Sequence, residues 1–405
     1  MRILIYSTYY FPELVGIGKY NAEMAEWLAR QGHEVSVVTA PPFYPNWQVQ
    51  SPYRSWAYHA ERINNVNIYR SPLWVPSRPN GVKRLLHLLS FTLFSFPLLL
   101  LQLLKRPDVI LLVEPPLFCA PQAWLIARLF GSKAWLHIQD FEVDAAFELG
   151  LIRANWMRRF ALGIECWLMR RFDLVSSISP NMLDKVLAKG IAAEHVAMLP
   201  NWVDTAEIFP LNRLSSYREE LGIGSDVCVA LYSGNMGEKQ GLDVLLNIAK
   251  LLSHQHKLLF VLCGDGAARA RLVKQADEMK NVKWLPLQPT EQLNELLNLA
   301  DIHLLPQKEG VSDLVMPSKL LGMMASGKAI LAMVEENTQL AQEVRLCGKV
   351  VHPGQIEEIA TVLLELATQP EERFRLGKLS LKAVKKWDKD QILSNFESTL
   401  ETIVE

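Results

Sequence analysis

Several features that define other classes of protein are missing from this sequence. Its five cysteines are scattered and form no CxxC pair, which argues against a zinc or redox site and favours buried free thiols in a reducing compartment. The only Asp-x-Asp triplet is Asp388-Lys389-Asp390 near the C-terminus, so we expect no catalytic metal and no bound cofactor. No secretory leader precedes the first apolar run at residues 3–6, and we therefore expect a cytoplasmic protein.

The length and the charge distribution bound the architecture. With 405 residues, of which 50% are hydrophobic, the chain is long enough for two globular domains. Residues 1–200 hold 20 Lys and Arg against 15 Asp and Glu, and the remainder holds 22 against 28. A basic half suits a phosphate-bearing partner or an anionic membrane, although solubility alone explains such an imbalance more often. No nucleic-acid partner is expected.

Short apolar runs alternate with helical patterns along both halves of the chain, which is typical of βαβ units. Strands are predicted at residues 3–6, 34–38, 108–113, 134–138 and 173–178 in the first half. In the second half they are predicted at residues 227–232, 258–263, 282–285, 302–305 and 329–333. We therefore expect an α/β fold of two doubly wound domains, with ligands bound beyond the carboxyl ends of the strands in the cleft between the domains.

Two glycines, Gly16 and Gly18, lie in the turn between the first strand and the helical pattern that begins at Lys19. They would let backbone N–H groups approach an anion at a helix N-terminus, although simple turn formation explains them equally well. The turn is not a dinucleotide fingerprint, because GxGxxG would follow the strand directly and an acidic residue would end the second strand. A dehydrogenase is therefore not expected.

The second half contains three segments that lead into a predicted helix. In the first, at residues 233–241, backbone amides and a lysine could hold a diphosphate. The second, at residues 264–266, is another glycine-containing turn between a strand and a helix. The third opens a helix whose first residues could bind phosphate or simply cap the helix. The candidate ligand-binding residues of these segments are Gly234, Asn235, Lys239, Gln240, Gly264, Asp265, Ser318 and Lys319.

Two segments of the first half could contact a membrane. Residues 85–104 carry no charge, but they lie between strands of one predicted sheet and are interrupted by Pro97, which argues against a membrane span. A buried helix and an interfacial helix are the two alternatives for this segment. Residues 153–172 mix aromatic and basic side chains, as either an interfacial helix or a helix packed on the sheet would. Together the two segments favour peripheral attachment.

The sequence LPNWVD at residues 199–204, followed by Phe209-Pro210, resembles the PNGVD…F.P signature of family-4 glycosyltransferases. The order of the other motifs is similar over nearly the whole chain, from the glycine pair to a segment around Trp387. The closest resemblance is to bacterial exopolysaccharide enzymes of the colanic acid type. It implies a retaining enzyme of the GT-B fold, with an acceptor-binding domain over residues 1–200, a donor-binding domain over 201–385 and a crossover helix over 386–405.

The donor-binding motifs depart from this family at two places. Asn235 and Gln240 occupy the positions of an Arg and Lys pair that contacts the donor phosphate in the resembled enzymes. The positive charge must then come from Lys239, Lys319 or elsewhere. Residues 314 and 322, the two positions of the family's E-x₇-E element, are leucine and glycine, which puts recognition of the donor ribose by a glutamate in doubt.

Glycosyl transfer also requires help for the acceptor hydroxyl. Asp140 and His137 are the candidates for orienting or deprotonating this group, since Gln139 stands where the resembled family has a histidine. Alternation along the strand predicts that His137 and Gln139 lie on the same side of the sheet. Each candidate has a structural alternative, Asp140 as the cap of a loop and His137 as a hydrogen-bonded core residue.

The resemblance implies transfer of a sugar from a nucleotide-sugar donor to a polyprenyl-diphosphate-linked saccharide at the inner face of the cytoplasmic membrane. GDP-fucose is the first candidate donor, ahead of UDP-linked hexoses, because polymers of the resembled pathway are rich in fucose. Two alternatives are a nucleotide-sugar epimerase, which the scarcity of acid and base side chains disfavours, and a non-catalytic donor-binding or assembly protein.

Overall fold

The structure is a computed structural model that describes residues 1–13, 16–44, 46–78, 80–144, 155–309 and 318–405. The chain divides into two compact units. Unit 1 comprises Met1–Asn201 and Ile392–Glu405, and unit 2 comprises Trp202–Gln391. Each unit is built on one predominantly parallel sheet, which confirms the predicted fold class of two Rossmann-like α/β domains.

The sheet of unit 1 has eight strands in the described part of the chain, in the order β3-β4-β2-β1-β5-β6-β7-β8. Only β3 runs antiparallel to its neighbour. The central strands are apolar along their length, as in a parallel sheet whose two faces are both covered. The strands are β1 (Arg2–Tyr6), β2 (Glu34–Thr39), β3 (His59–Ile63), β4 (Val66–Arg70), β5 (Val109–Glu114), β6 (Lys133–Ile138), β7 (Leu174–Ser177) and β8 (Val196–Met198).

The described residues of unit 1 form five helices before its C-terminal helix, and amphipathic patterns and local caps explain where they form. In the first helix, Tyr20, Met24, Trp27 and Leu28 are buried, which is the spacing of one helical face. The fifth begins where Ser179 Oγ accepts a hydrogen bond from the Met182 N–H at 3.2 Å, as an N-cap does. The helices are α1 (Ile17–Arg30), α2 (Gly81–Gln102), α3 (Ala120–Phe130), α4 (Asn155–Met169) and α5 (Pro180–Ala188).

Helix α2 is continuous through Pro97, so the predicted interruption at this proline is wrong. A proline removes one backbone donor, and side chains from outside the helix bind carbonyl groups just before it. Tyr58 Oη donates to the Phe94 carbonyl at 2.9 Å, and Gln122 Nε2 donates to the Thr92 carbonyl at 2.9 Å. By length and composition α2 could cross a membrane, but 44% of its most apolar stretch is buried, and the strands before and after it belong to one sheet.

The sheet of unit 2 has six parallel strands among the described residues, in the order β11-β10-β9-β12-β13-β14. Numbered within the unit, this is the 3-2-1-4-5-6 order of the doubly wound nucleotide-binding fold. The connection therefore reverses direction between β9 and β12. The strands are β9 (Cys228–Ser233), β10 (Leu258–Cys263), β11 (Val282–Leu285), β12 (Ile302–Pro306), β13 (Ala329–Met333) and β14 (Lys349–Val351).

The helices of unit 2 pack an apolar stripe on this sheet. In α12, for example, Ile359, Ala360, Leu363 and Leu366 are buried and join the core formed by β9, β10 and β12. The helices are α6 (Tyr217–Glu220), α7 (Asp243–Leu251), α8 (Arg269–Gln275), α9 (Leu293–Leu299), α10 (Ser318–Ala325), α11 (Gln339–Arg345), α12 (Ile356–Thr368) and α13 (Pro370–Val384).

The last helix, α14 (Lys389–Val404), carries the chain back into unit 1 at Ile392. Its buried residue Phe396 packs against Trp135 of β6, with ring centroids 4.9 Å apart. Just before the helix, the Val203 N–H donates to the Trp387 carbonyl at 2.9 Å and the Lys389 N–H donates to the Val203 carbonyl at 3.0 Å. The segment at residues 199–204 is thus joined to the start of α14 by backbone hydrogen bonds.

All ten predicted strands are present, and the described residues contain four further strands that were not predicted. β8 and β14 have three residues each, too few for a periodic pattern. β3 and β4 form a hairpin whose turn, Asn64-Asn65, has positive φ at both residues. Paired asparagines of this kind favour the tight turns that suit hairpins, so this turn was the available signal.

Candidate active site

The loop after β1 lies at the point where the sheet of unit 1 reverses direction, because β1 pairs with β2 on one side and with β5 on the other. Ligands of doubly wound folds bind at such points. Gly16 directly precedes α1, and Gly18 lies in its first turn. A Cβ on Gly18 would lie 2.6 Å from the Glu13 carbonyl oxygen, so only glycine allows this close packing.

Glu13 fastens this loop to the loop after β2. Its Oε1 accepts hydrogen bonds from the Phe43 N–H at 2.6 Å and the Tyr44 N–H at 2.7 Å. Burial raises the pKa of this carboxyl group to about 7. Arg70, also buried, donates to the carbonyl groups of Phe11 and Ala40 and forms an ion pair with Glu61 on β3. Sequence reasoning missed both anchors, since neither stands in a motif.

His137 is engaged at both ring nitrogens. Nδ1 lies 2.9 Å from Ser176 Oγ, and Nε2 lies 3.0 Å from the Gln139 side-chain nitrogen, so the predicted common side of His137 and Gln139 is observed. Because the amide nitrogen donates, Nε2 accepts and Nδ1 carries the proton. Gln139 also pairs with the side chain of Asn201. Burial lowers the pKa of His137 to about 3, so the ring is neutral at physiological pH.

Asp140 is exposed just beyond the carboxyl end of β6, where an acceptor hydroxyl could reach it. Two residues further on, Glu142 accepts a hydrogen bond from the Leu117 N–H at 2.7 Å. Burial, followed by the charge of Asp140, raises the pKa of Glu142 to about 7. Sequence reasoning missed Glu142, although it lies beside Asp140.

The Tyr9 hydroxyl lies at the same edge of the sheet in unit 1. Burial raises the pKa of the Tyr9 hydroxyl, and the charges of Glu13 and Glu142 add to the effect. The hydroxyl is therefore protonated and near both carboxyl groups. The loops after β1 and β6 thus supply one phenol and three carboxyl groups to this edge, and Asp140 is the exposed carboxyl group among them, able to accept a hydrogen bond from a ligand hydroxyl.

In unit 2 the loops after β9 and β10 pack directly on each other. A Cβ on Gly264, whose φ is +143°, would lie 1.9 Å from the Gly234 carbonyl oxygen, so a side chain at this position would force the loops apart. The Met236 N–H donates to the Asp265 carbonyl at 2.8 Å. Asn235 and Asp265 are exposed. Four of the predicted ligand-binding residues are therefore brought together at the carboxyl edge of the sheet.

Lys319 joins this group from α10. Its Nζ lies 5.0 Å from the centre of the Tyr232 ring, and its Cδ lies 3.7 Å from the position that a Cβ on Gly234 would occupy. Lys308, which sequence reasoning missed, follows β12. A Cβ on Gly241 would lie 2.9 Å from the Lys308 Cα, so this exposed lysine is also near the β9 loop. Its position after the strand next to β9 was the signal that could have found it.

For the remaining predicted ligand-binding residues of unit 2, the structure gives the position in the chain. Gln240 ends a short 3₁₀ turn at Glu238–Gln240, and Ser318 is the exposed first residue of α10. The Lys239 side chain and residues 310–317 lie outside the described part of the structure. At the N-terminus of α7, Asp243 and Glu238 are both paired with Arg271, whose positive charge offsets one of the two negative charges there.

Among the described residues, no group of three or more His, Cys, Asp or Glu side chains could hold a metal ion. All five cysteines are free, and only Cys166 is not fully buried. Metal independence stays a prediction.

Two Rossmann-like units, one with a glycine-rich loop and lysines at the switch point of its sheet, form the GT-B fold that solved glycosyltransferase structures share. The chain belongs to a glycosyltransferase family: residues 15–202 match the Glycosyl transferase 4-like domain, and residues 215–382 match Glycosyl transferases group 1. It is 43% identical over 349 residues to the putative colanic acid biosynthesis glycosyl transferase WcaI of Escherichia coli K12, covering 84% of this chain and 85% of that one.

Two solved structures illustrate the similarity of fold. Sucrose-phosphate synthase from Thermosynechococcus elongatus superposes with a TM-score of 0.77 at 15% identity, over 99% of this chain and 98% of that chain. HepE of Anabaena, in complex with UDP-glucose, superposes with a TM-score of 0.70 at 14% identity, over 99% and 100%. At these identities the similarity establishes the fold.

Proposed function

We propose that this protein transfers a sugar, with retention of configuration, from a nucleotide-sugar donor held by unit 2 to a lipid-linked saccharide held by unit 1. The pathway would be exopolysaccharide biosynthesis of the colanic acid type, the role named for the 43% identical relative. The observation that carries the proposal is the position of Lys319 over Tyr232 and beside Gly234. It places a positive charge next to the loop that follows β9, where the strand order of the sheet reverses.

The leaving group explains why these residues suit the donor. A departing nucleoside diphosphate gains negative charge in the transition state, and fixed positive groups lower the barrier. Lys319 and Lys308 would supply cationic charge, and backbone N–H groups of the β9 loop would supply dipoles. These cations stand in for the Arg and Lys pair replaced by Asn235 and Gln240. GDP-fucose is the first donor to test, and UDP-hexoses are tested beside it because the HepE structures contain UDP and UDP-glucose.

Asp140 is the proposed group for orienting or deprotonating the acceptor hydroxyl. It is exposed at the carboxyl end of β6, whereas His137 is buried and both of its ring nitrogens lie within hydrogen-bond distance of other side chains. We therefore assign His137 the role of holding Gln139 and β7 in position. General-base help of this kind typically contributes about 10²–10⁴-fold in rate.

Peripheral membrane attachment fits the surface of unit 1. On α2, residues His87, Phe91, Ser95 and Leu98 face inward, while Leu93 and Leu101 are exposed. Residues 156–160 of α4 are exposed and include Trp156 and Phe160 next to basic residues. Exposed aliphatic and aromatic side chains with arginines nearby are typical of helices that lie in the headgroup region.

The test is a donor titration followed by thermal shift, with GDP-fucose, GDP-mannose, UDP-glucose and UDP-galactose. One donor should raise the Tm of the wild type. Lys319→Ala should weaken its binding by about tenfold to 100-fold, because a charge-assisted contact is worth about 1.5–3 kcal/mol. Lys250→Ala is the matched control, since this exposed lysine lies at the far end of α7 and should leave binding unchanged.

The outcomes separate the candidate functions. No shift with any donor would contradict the assignment of unit 2. Donor binding without transfer to any lipid-linked saccharide would favour a non-catalytic assembly protein, and conversion of the donor sugar without an acceptor would favour an epimerase.

A further inference from the structure

Unit 1 contains an aromatic groove of about 860 Å³ that none of the predicted site residues lines. We call it the tryptophan groove. Its described lining residues are mainly apolar or aromatic and include no Asp, Glu, Lys or Arg. The side chains used below are Trp47, Trp56, Tyr58, Trp74 and Phe94. A groove of this size and composition is typical of a site for a largely apolar ligand.

The walls of the groove are fixed by hydrogen bonds to helix α2. Tyr58 Oη donates to the Phe94 carbonyl at 2.9 Å. The Trp74 N–H donates to Ser90 Oγ at 3.1 Å, and the Trp74 carbonyl lies 2.7 Å from His87 Nδ1. The groove is therefore built into the unit by partners on one face of α2, and binding would cost little ordering of the chain.

The tryptophan groove opens on the same edge of the sheet as the candidate active site. Its walls follow β2 and β4, whose carboxyl ends lie at the edge where the loop after β1 begins. A row of rings connects the two regions. Trp47 lies 5.7 Å from Phe43, and Phe43 lies 5.6 Å from Tyr9 of the β1 loop, measured between ring centroids. A ligand in the groove would thus extend toward the phenol and carboxyl groups of that edge.

Two arginines give the groove a charge pattern that selects its occupant. The Arg54 Cζ lies 5.4 Å from the Trp56 ring centre, and the Arg84 Cζ lies 5.4 Å from the Trp47 ring centre. Each guanidinium group therefore sits over a wall of an uncharged groove. An apolar floor with cations at its rim complements a molecule that has an apolar chain and an anionic diphosphate head.

We propose that the tryptophan groove binds the first isoprene units of a polyprenyl diphosphate, with Arg54 and Arg84 contacting the diphosphate. This inference deepens the proposed function and rests on it, because it identifies the lipid part of the acceptor. Leu93, which is exposed and adjacent in sequence to the groove residue Phe94, adds apolar surface next to the groove on which the remaining chain could lie.

The probe is farnesyl diphosphate, a short and soluble polyprenyl diphosphate, titrated into the full-length protein by calorimetry. We expect saturable binding, and at least about tenfold weaker binding for Trp56→Ala, because tryptophan side chains that contact a ligand commonly carry a large share of the binding energy. Trp156→Ala is the matched control. Trp56 and Trp156 are each 71% exposed, but only Trp56 lines the groove, so Trp156→Ala should bind as the wild type does. Arg84→Gln should weaken binding of farnesyl diphosphate and leave binding of farnesol unchanged.

Three results would overturn the inference: no saturable binding, equal losses in Trp56→Ala and Trp156→Ala, or equal affinity for inorganic diphosphate and farnesyl diphosphate. Binding of a free oligosaccharide that depends on Trp56 would also overturn it, since the groove would then hold the sugar. Donor thermal shifts are measured in the same variants. If the donor thermal shifts persist while farnesyl diphosphate does not bind the groove, the proposed function stands without the inference. If the wild type shows no donor thermal shift, the proposed function itself is contradicted.

Discussion

The buried carboxyl group of Glu13 predicts an unusual pH dependence of stability. Glu13 is 4% exposed, and burial raises its pKa from the ordinary value of 4.5 to about 7. The folded chain therefore holds a proton on this group that the unfolded chain releases between about pH 4.5 and pH 7. Since the folded state binds more protons, stability falls as the pH rises through this window.

The magnitude follows from the shift. A change of one pKa unit is worth about 1.4 kcal/mol, so Glu13 lowers the free energy of unfolding by about 3 kcal/mol above pH 7 relative to a neutral isostere. Glu13→Gln removes this cost and keeps an Oε1 that can accept the N–H groups of Phe43 and Tyr44. We expect the variant to match the wild type at pH 4.5 and to be more stable at pH 8.

The assay is thermal unfolding of unit 1, followed in the full chain from pH 4.5 to pH 8. For a unit of this size, about 3 kcal/mol corresponds to a rise in Tm of roughly 6–12 °C at pH 8. Glu194→Gln, at an exposed position of the same unit, is the control and should change stability by less than about 0.5 kcal/mol at any pH. A Glu13→Gln variant that is less stable at pH 8, or whose effect does not vary with pH, would show that the folded chain holds Glu13 as a carboxylate.

Three further predictions concern the site and the surface. Gly264→Ala should destabilise unit 2 by about 2 kcal/mol or more and abolish the donor-induced thermal shift, because its Cβ would overlap the Gly234 carbonyl oxygen. Gly163→Ala, where a Cβ meets nothing within 4 Å, should be tolerated, and equal effects of the two changes would contradict the packing argument. Asp140→Asn should lower kcat by about 10²-fold or more with donor affinity unchanged, and full activity would remove Asp140 from the mechanism. Leu93→Glu should reduce sedimentation with anionic vesicles about tenfold without altering donor binding, and undiminished sedimentation would exclude α2 from a membrane contact.

Local patterns were sufficient wherever the structure depends on neighbouring residues in the chain. The ten apolar runs became strands because alternation with helical segments specifies βαβ units whatever their partners are. The loops that need glycine, at Gly18 and Gly264, were visible because few other residues permit such close backbone packing. Pro97 shows the limit of this reasoning, because α2 continues through it while Tyr58 and Gln122, which lie far from it in sequence, bind carbonyl groups of the same part of the helix.

The amino-acid sequence by itself therefore determined the fold class, most of the strands and the membership of the chain in its glycosyltransferase family. Only the tertiary structure decided which of the candidate side chains meet. Ser176 reaches His137 from a neighbouring strand, Lys319 reaches Tyr232 from 87 positions further along the chain, and Trp47, Trp56 and Trp74 form one groove although they come from separate segments. These contacts depend on strand order and on long-range packing, because residues distant in sequence become neighbours only when the sheet is assembled.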